Sequence, residues 1–257
     1  MNWVWSRTAR PSTSWHSDSL PLTLSNYPPF WAVIPAAGVG SRMAADRPKQ
    51  YLTLGGQTLI EHSLACFLDH PALKGLVVGL AVDDPYWPSL ASAKDPRIER
   101  APGGLERADS VLNALLHLHA MGAADDDWVL VHDAARPNLA RSDLDNLLLQ
   151  LAADPVGGLL AVPARDTLKR ADAHGRVSET VDRRAIWQAY TPQMFRLGAL
   201  HRALADALVA GAAITDEASA MEWSGAAPRL IEGRSDNIKV TRPEDLEGLR
   251  IRWSHRR

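Results

Sequence analysis

The sequence predicts an α/β chain built around a mostly parallel β-sheet. Two observations carry this expectation. From residue 31 onward, short β-branched apolar runs alternate with longer segments whose apolar residues recur at helical spacing, the pattern of repeated strand-helix units. The chain is also large enough: 257 residues with 46% hydrophobic composition can bury the core of one ordinary-to-large domain.

The elements follow in order. AVIPAAG, residues 32–38, reads as a first strand running into a turn. Residues 58–70 place Ile60, Leu64, Phe67 and Leu68 on one helical face, and 75–82 read as a buried strand closed by the loop signal Asp83-Asp84-Pro85. Residues 106–122 bring Ala108, Val111, Leu112, Leu115 and Leu118 to helical spacing, with Gly122 as the stop. A strand at 128–134, an amphipathic helix at 141–153 and a buried strand at 157–164 come next. After Pro163 the rhythm breaks. Residues 165–185 are polar, with two short alternating pieces around His174-Gly175, which predicts a hairpin leaving the main sheet. A projecting arm needs a cover, and a second copy of the chain is expected to supply it. Helices are expected at 197–210 and 216–223, paired strands near 229–232 and 237–241, and a last helix opening at Pro243 with Glu244 and Asp245 in its first turn.

Composition narrows the function classes. Lys and Arg number 28 against 30 Asp and Glu, which excludes the broad basic surface of a general nucleic-acid binder. No apolar run reaches the roughly 18 residues of a membrane span. The lone cysteine, Cys66, excludes an internal disulfide, is expected to be buried and structural, and suits a reducing compartment, the cytoplasm. Residues 1–30, rich in Ser, Pro and Thr, are expected to be a poorly ordered extension to a single domain spanning 31–257. They lack the apolar stretch of a secretory signal; a transit peptide and a start site placed too far upstream both stay open.

The chemistry is concentrated in three stretches. Gly38-Val39-Gly40-Ser41-Arg42-Met43 follows the first strand but has Met43 where a dinucleotide fingerprint needs its third glycine, and no Walker-type loop is present. What remains is a turn of small residues, Ala36, Ala37, Gly38 and Gly40, whose amides can approach an anion, with Arg42 and Lys49 to supply charge. A plain turn with surface basic residues is the competing reading. Gly103-Gly104-Leu105-Glu106-Arg107-Ala108-Asp109-Ser110 sets a second glycine turn at a helix start, and VHDAARP, residues 131–137, ends a buried strand with Asp133 and Arg136. A lone carboxylate at a strand end suits Mg²⁺ carried in by a phosphate; a structural Asp133–Arg136 salt bridge is the alternative. The nine histidines show no metal-ligand spacing, and His132 reads as a packed strand-end residue.

Taken with PKQY, RDTLKR, TPQMF, TDEASA and DNIKVTRPED, these stretches resemble the 2-C-methyl-D-erythritol 4-phosphate cytidylyltransferases from about residue 31 to 251. The resemblance implies a Rossmann-like, three-layer nucleotidyltransferase fold with a projecting β-hairpin arm, and transfer of CMP from CTP to methylerythritol phosphate with Mg²⁺ or another divalent cation in non-mevalonate isoprenoid synthesis. A cytidylyltransferase for another polyol phosphate, such as ribitol 5-phosphate, is the nearest rival. On the family pattern Arg42, Lys49 and Lys239 act on the phosphates; Ala36, Ala37 and Gly38, with Gly104 and Ser110, frame cytosine; Asp133 holds the metal. Arg136, Thr167, Arg183 and Thr191 are the expected polyol phosphate contacts. A homodimer is implied, in which the arm, residues 165–185, carries Thr167 and Arg183 to the neighbouring subunit's site. Leu105 departs from the acid many members carry after the two glycines.

Overall fold

A computed structural model describes residues 27–38, 43 and 46–254. Most of the expected N-terminal extension lies outside the described residues; of its last four positions, Tyr27 and Phe30 are buried. The strands are β1 (Phe30–Pro35), β2 (Thr53–Leu54), β3 (Gln57–Thr58), β4 (Leu73–Leu80), β5 (Ile98–Pro102), β6 (Trp128–Val131), β7 (Gly157–Pro163), β8 (Leu168–Ala171), β9 (Val177–Val181), β10 (Trp187–Arg196) and β11 (Arg229–Glu232). The helices are α1 (Leu59–Leu68), α2 (Arg107–Ala120), α3 (Arg141–Leu151), α4 (Leu197–Val209), α5 (Glu217–Trp223) and α6 (Pro243–Ser254). Seven of these strands form one sheet in the order β11-β7-β10-β6-β1-β4-β5. Its neighbours pair parallel except at β10, which runs antiparallel to both β6 and β7.

Strand alternation divides the core into two layers, because successive side chains point to opposite faces. Ala32, Ile34, Leu76, Val78 and Leu130 meet Ile60, Leu64 and Phe67 of α1 and Leu144, Leu147 and Leu148 of α3. The intervening Val33, Val77, Val129 and Val131 meet Val111, Leu115 and Leu118 of α2, Leu200 and Leu204 of α4, and Ala218 of α5. A third, smaller cluster joins Leu54 and Leu59 to Ala135, Val240, Leu246 and Leu249, which seats α6 beneath the loop after β6. The expected three-layer fold is therefore present, with the predicted helices in place.

The structure differs from the sequence reading most clearly in three places. Residues 237–241 form no strand: their backbone is committed to the loop after β6, where Val240 N–H donates to Ala135 O (2.8 Å) and Asn237 O accepts from Arg136 Nη1 (2.8 Å). β11 pairs instead with β7, in parallel. β10 was not legible because Pro192 interrupts its apolar pattern; a register shift between Ala189 and Gln193 accommodates that proline inside a central strand. The edge strand β5, with the charged text Ile98-Glu99-Arg100, also went unread.

The hairpin expected within 165–185 is β8–β9, with Gly175 at φ +75° in its turn. It pairs with no strand of the main sheet and is exposed along most of its length. No helix among the described residues is long and apolar enough to cross a membrane. Cys66 is partly buried and donates to Leu139 O (3.2 Å); burial pushes its thiol up to about 11, which keeps it protonated and unreactive at neutral pH.

Candidate active site

β1, β4 and β6 end side by side, and a cleft of about 430 Å³ opens at their carboxyl edge, where open α/β sheets bind ligands. Ala36, Ala37 and Gly38 form one wall. This turn is braced from below: Ala36 N–H donates to Gly79 O (2.7 Å), and the buried amide of Gln50 donates to Ala36 O (2.7 Å) and Gly38 O (3.1 Å). Lys49, the neighbour of Gln50, lines the cleft and donates to Val240 O at 3.2 Å. Gly40 and Arg42 lie outside the described residues.

The second glycine turn forms the facing wall. A Cβ on Gly103 would stand 2.2 Å from Ala37 Cβ and 3.1 Å from Leu80 O, so the two turns touch and only glycine fits. Gly104 N–H donates to Ser110 Oγ (2.9 Å), and that hydroxyl donates to Glu106 O (3.2 Å), so α2 starts with its serine folded back onto the turn. Leu105 stands fully exposed at the rim.

Asp133 is the electrostatic centre. Its Oδ1 accepts from Arg107 Nε (3.1 Å), and its Oδ2 faces Lys239 Nζ (3.0 Å) and Arg136 Nε (3.3 Å). Burial would raise its pKa, but Arg107, Lys239 and Arg136 together outweigh that and hold the carboxyl far below its usual range. Arg136 is anchored from behind by Asn237 O and stacks 4.5 Å over the Tyr190 ring. Arg107 gives both terminal nitrogens to Glu217, at 2.6 and 3.1 Å. Burial disfavours its charge, yet Glu217 and Asp133 raise its pKa above that of an ordinary guanidinium. The competing salt-bridge reading of Asp133 and Arg136 is thus realised as one edge of a larger network.

His132 is fully buried and used at both nitrogens: Nε2 lies 3.0 Å from Arg136 O, and Nδ1 lies 2.9 Å from Thr191 Oγ1, which itself accepts from Asp133 N–H (3.1 Å). The carbonyl requires a proton on Nε2, and full burial keeps the ring neutral, so Nδ1 accepts from the Thr191 hydroxyl. This is the packed strand-end histidine of the sequence reading, and it braces the loop that carries Asp133. Burial pushes its pKa down to about 4 from 6.5. A group with a depressed basic pKa takes up its proton more readily when unfolded. Its stabilisation is therefore complete above about pH 6.5 and declines, by about 3 kcal/mol, as pH falls toward 4. Urea titrations across that range should show the decline, and His132→Gln should flatten it to the residual slope from His70 and His201, whose pKa values burial also lowers. An undiminished slope in the variant would assign the decline to other groups.

Of the residues singled out in the sequence, Ala36, Ala37, Gly38, Lys49, Gly104, Ser110, Asp133 and Lys239 line one cleft. Arg136 and Thr191 are buried behind Asp133. Thr167 and Arg183 lie exposed beside the β8–β9 arm, outside the cleft wall, with Arg183 donating to Arg165 O. Arg107, Glu217 and Gln50 escaped notice as site residues, although each sits inside a motif quoted for the resemblance.

A mostly parallel sheet whose carboxyl edge brings two contacting glycine turns, two lysines and an ion-paired aspartate into one cleft has the architecture of a nucleotidyltransferase. The comparisons make the assignment particular. The family model for 2-C-methyl-D-erythritol 4-phosphate cytidylyltransferase matches residues 30–250. A relative of that name from Pseudomonas fluorescens strain Pf0-1 is 80% identical over 234 residues, covering 91% of this chain and 100% of its own. A crystal structure of 4-diphosphocytidyl-2C-methyl-D-erythritol synthase superposes with a TM-score of 0.75 at 42% identity, covering 87% of this chain and 98% of its own. The Francisella tularensis 2-C-methyl-D-erythritol 4-phosphate cytidylyltransferase structure gives 0.73 at 37%, covering 86% and 97%. The chain belongs to the 2-C-methyl-D-erythritol 4-phosphate cytidylyltransferase family.

Proposed function

We infer that this chain transfers the cytidylyl group of CTP to 2-C-methyl-D-erythritol 4-phosphate, giving 4-diphosphocytidyl-2-C-methyl-D-erythritol and pyrophosphate for isoprenoid precursor synthesis. The observation that carries the reading is the family match across 30–250, which spans every wall of the cleft. The acceptor's phosphate oxygen bonds to the α-phosphorus of CTP as the bond to the β-phosphate oxygen breaks. No general base is needed, since a phosphate monoester with a second pKa of about 6 is largely ionised at neutral pH. The obstacle is repulsion between two anions, so catalysis is positioning and charge stabilisation. Lys49, Lys239 and Arg42 are proposed for that charge, the small residues of the two turns for the base, and Arg136 and Thr191 for the acceptor side.

Among the described residues no group of three or more His, Cys, Asp or Glu could hold a metal alone. A single carboxylate nevertheless fits Mg²⁺, or another divalent cation, that arrives on a triphosphate. Asp133 would hold it, with Lys239 as the most exposed of its three present partners, and the ion would offset triphosphate charge.

We also propose a cytoplasmic homodimer of a single domain, 31–257, whose arm places Thr167 and Arg183 in the neighbour's site. The exposed two-stranded arm supports this, since such a ribbon is marginal without cover. Mixing inactive Arg183→Ala and Lys49→Ala chains should then restore about a quarter or less of wild-type activity, through heterodimers with one intact composite site. Verified heterodimers without recovery would count against the shared site. The reaction itself is tested by pyrophosphate release with Mg²⁺ and each nucleoside triphosphate, offering methylerythritol phosphate or ribitol 5-phosphate. Turnover confined to CTP and methylerythritol phosphate is expected; turnover with ribitol 5-phosphate instead would reassign the acceptor.

A further inference from the structure

Glu217 is 1% exposed and forms no part of the cleft wall, yet it controls a residue that does. Its position is set by β10. Gln193, also buried, accepts Ala218 N–H on Oε1 (2.7 Å) and donates through Nε2 to Asp216 Oδ2 (2.9 Å), while Asp216 Oδ1 accepts Ser219 N–H (2.9 Å). The start of α5 is thereby pinned to the sheet with Glu217 directed at Arg107. Each terminal nitrogen of that arginine gives one N–H to Glu217 and Nε gives its own to Asp133, so three of the five donors are committed and the end-on fork is turned toward Glu217.

The division of Arg107's donors has a consequence for the phosphates. A guanidinium fork binds a phosphate bidentately, and Arg107 lines the cleft with a side chain 27% exposed. Three cations, Arg107, Arg136 and Lys239, face two carboxylates, Asp133 and Glu217. Removing the charge of Glu217 raises the excess from one to two, and because an amide there keeps one acceptor oxygen and replaces the other by NH2, one N–H of the fork is released beside the polyphosphate. We propose that Glu217 is a positioning residue that withholds Arg107 from the polyphosphate, keeping pyrophosphate bound loosely enough to leave. The proposal rests on the reading of this cleft as the nucleotide site. Extra affinity shared by CTP and pyrophosphate is uniform binding, which lowers KM without speeding chemistry and slows product release.

The test uses the full chain and two variants, Glu217→Gln and Glu217→Asp, with calorimetric titration of pyrophosphate and of CTP, steady-state kinetics and melting temperatures. Glu217→Gln is expected to bind pyrophosphate about tenfold tighter, from one additional charge-assisted contact, while kcat and the KM for CTP both fall. Glu217→Asp keeps the charge but is one methylene shorter; it should move both readouts the same way and less. Unchanged or weaker pyrophosphate binding, with kcat/KM lost in step with melting temperature, would reduce Glu217 to a structural residue and overturn the proposal. If Glu217→Gln does not fold, Glu217→Asp decides by the same criterion. A wild-type chain that binds neither pyrophosphate nor CTP would remove the nucleotide-site reading and the proposal with it. A wild type that binds both, beside variants that bind no tighter, would remove the proposal alone.

Discussion

Asp133→Ala is expected to lose about 3–5 kcal/mol of stability, a fall of about 10 °C in Tm, and to be inactive. The magnitude follows from what the carboxylate faces. Arg107, Arg136 and Lys239 all contact it, and its side chain is only 8% exposed. Without it, the positive charges of Arg136 and Lys239 confront each other in a region where water screens poorly, whereas Arg107 keeps Glu217. Asp133→Asn preserves the shape and should cost less. Because the folded-state pKa of Asp133 lies below its unfolded value of 3.8, its contribution is present at neutral pH and is lost only as pH falls below about 4. Scanning calorimetry at pH 7 without nucleotide checks the difference. A Tm shift of under 2 °C for Asp133→Ala would mean that the cations relax into solvent and that the network is not a stabilising one.

Lys49→Ala is expected to act on rate rather than on stability. The side chain lines the cleft beside the glycine turn, and its contact to Val240 O is to a neutral carbonyl that solvent can replace, so the fold should survive. Loss of one preorganised donor at a phosphate that gains charge in the transition state costs about 3 kcal/mol, a hundredfold or more in kcat. Wild-type kcat in Lys49→Ala, with a raised KM for CTP only, would confine this lysine to ground-state binding.

Most of the strand-helix order was legible because β-branched runs and helical periodicity report burial directly. β10 was hidden by Pro192, whose place in a central strand depends on a local register shift that no pattern announces. Residues 237–241 were misread because Ile238 and Val240 alternate like a strand; Val240 instead fills the small cluster under the Asp133 loop. The same limit applies to the site. Asp133 follows directly on a buried strand and Lys49 and Lys239 stand in charged connecting segments, so they advertise themselves, whereas Gln50 and Glu217 act from beneath, through partners 12 to 110 residues away in sequence. Only the fold brings those pairs together.

The contact between Ala37 and Gly103 also bears on how this family can drift. With 2.2 Å between a methyl on Gly103 and the one already on Ala37, Gly103 cannot gain a side chain while Ala37 keeps its own. Even an exchange that moves the methyl from residue 37 to residue 103 is hindered, since Leu80 O stands 3.1 Å from where it would go. The cleft is thus held to its present width from the Gly103 side, whereas Leu105, on the same loop, projects into solvent with nothing to displace.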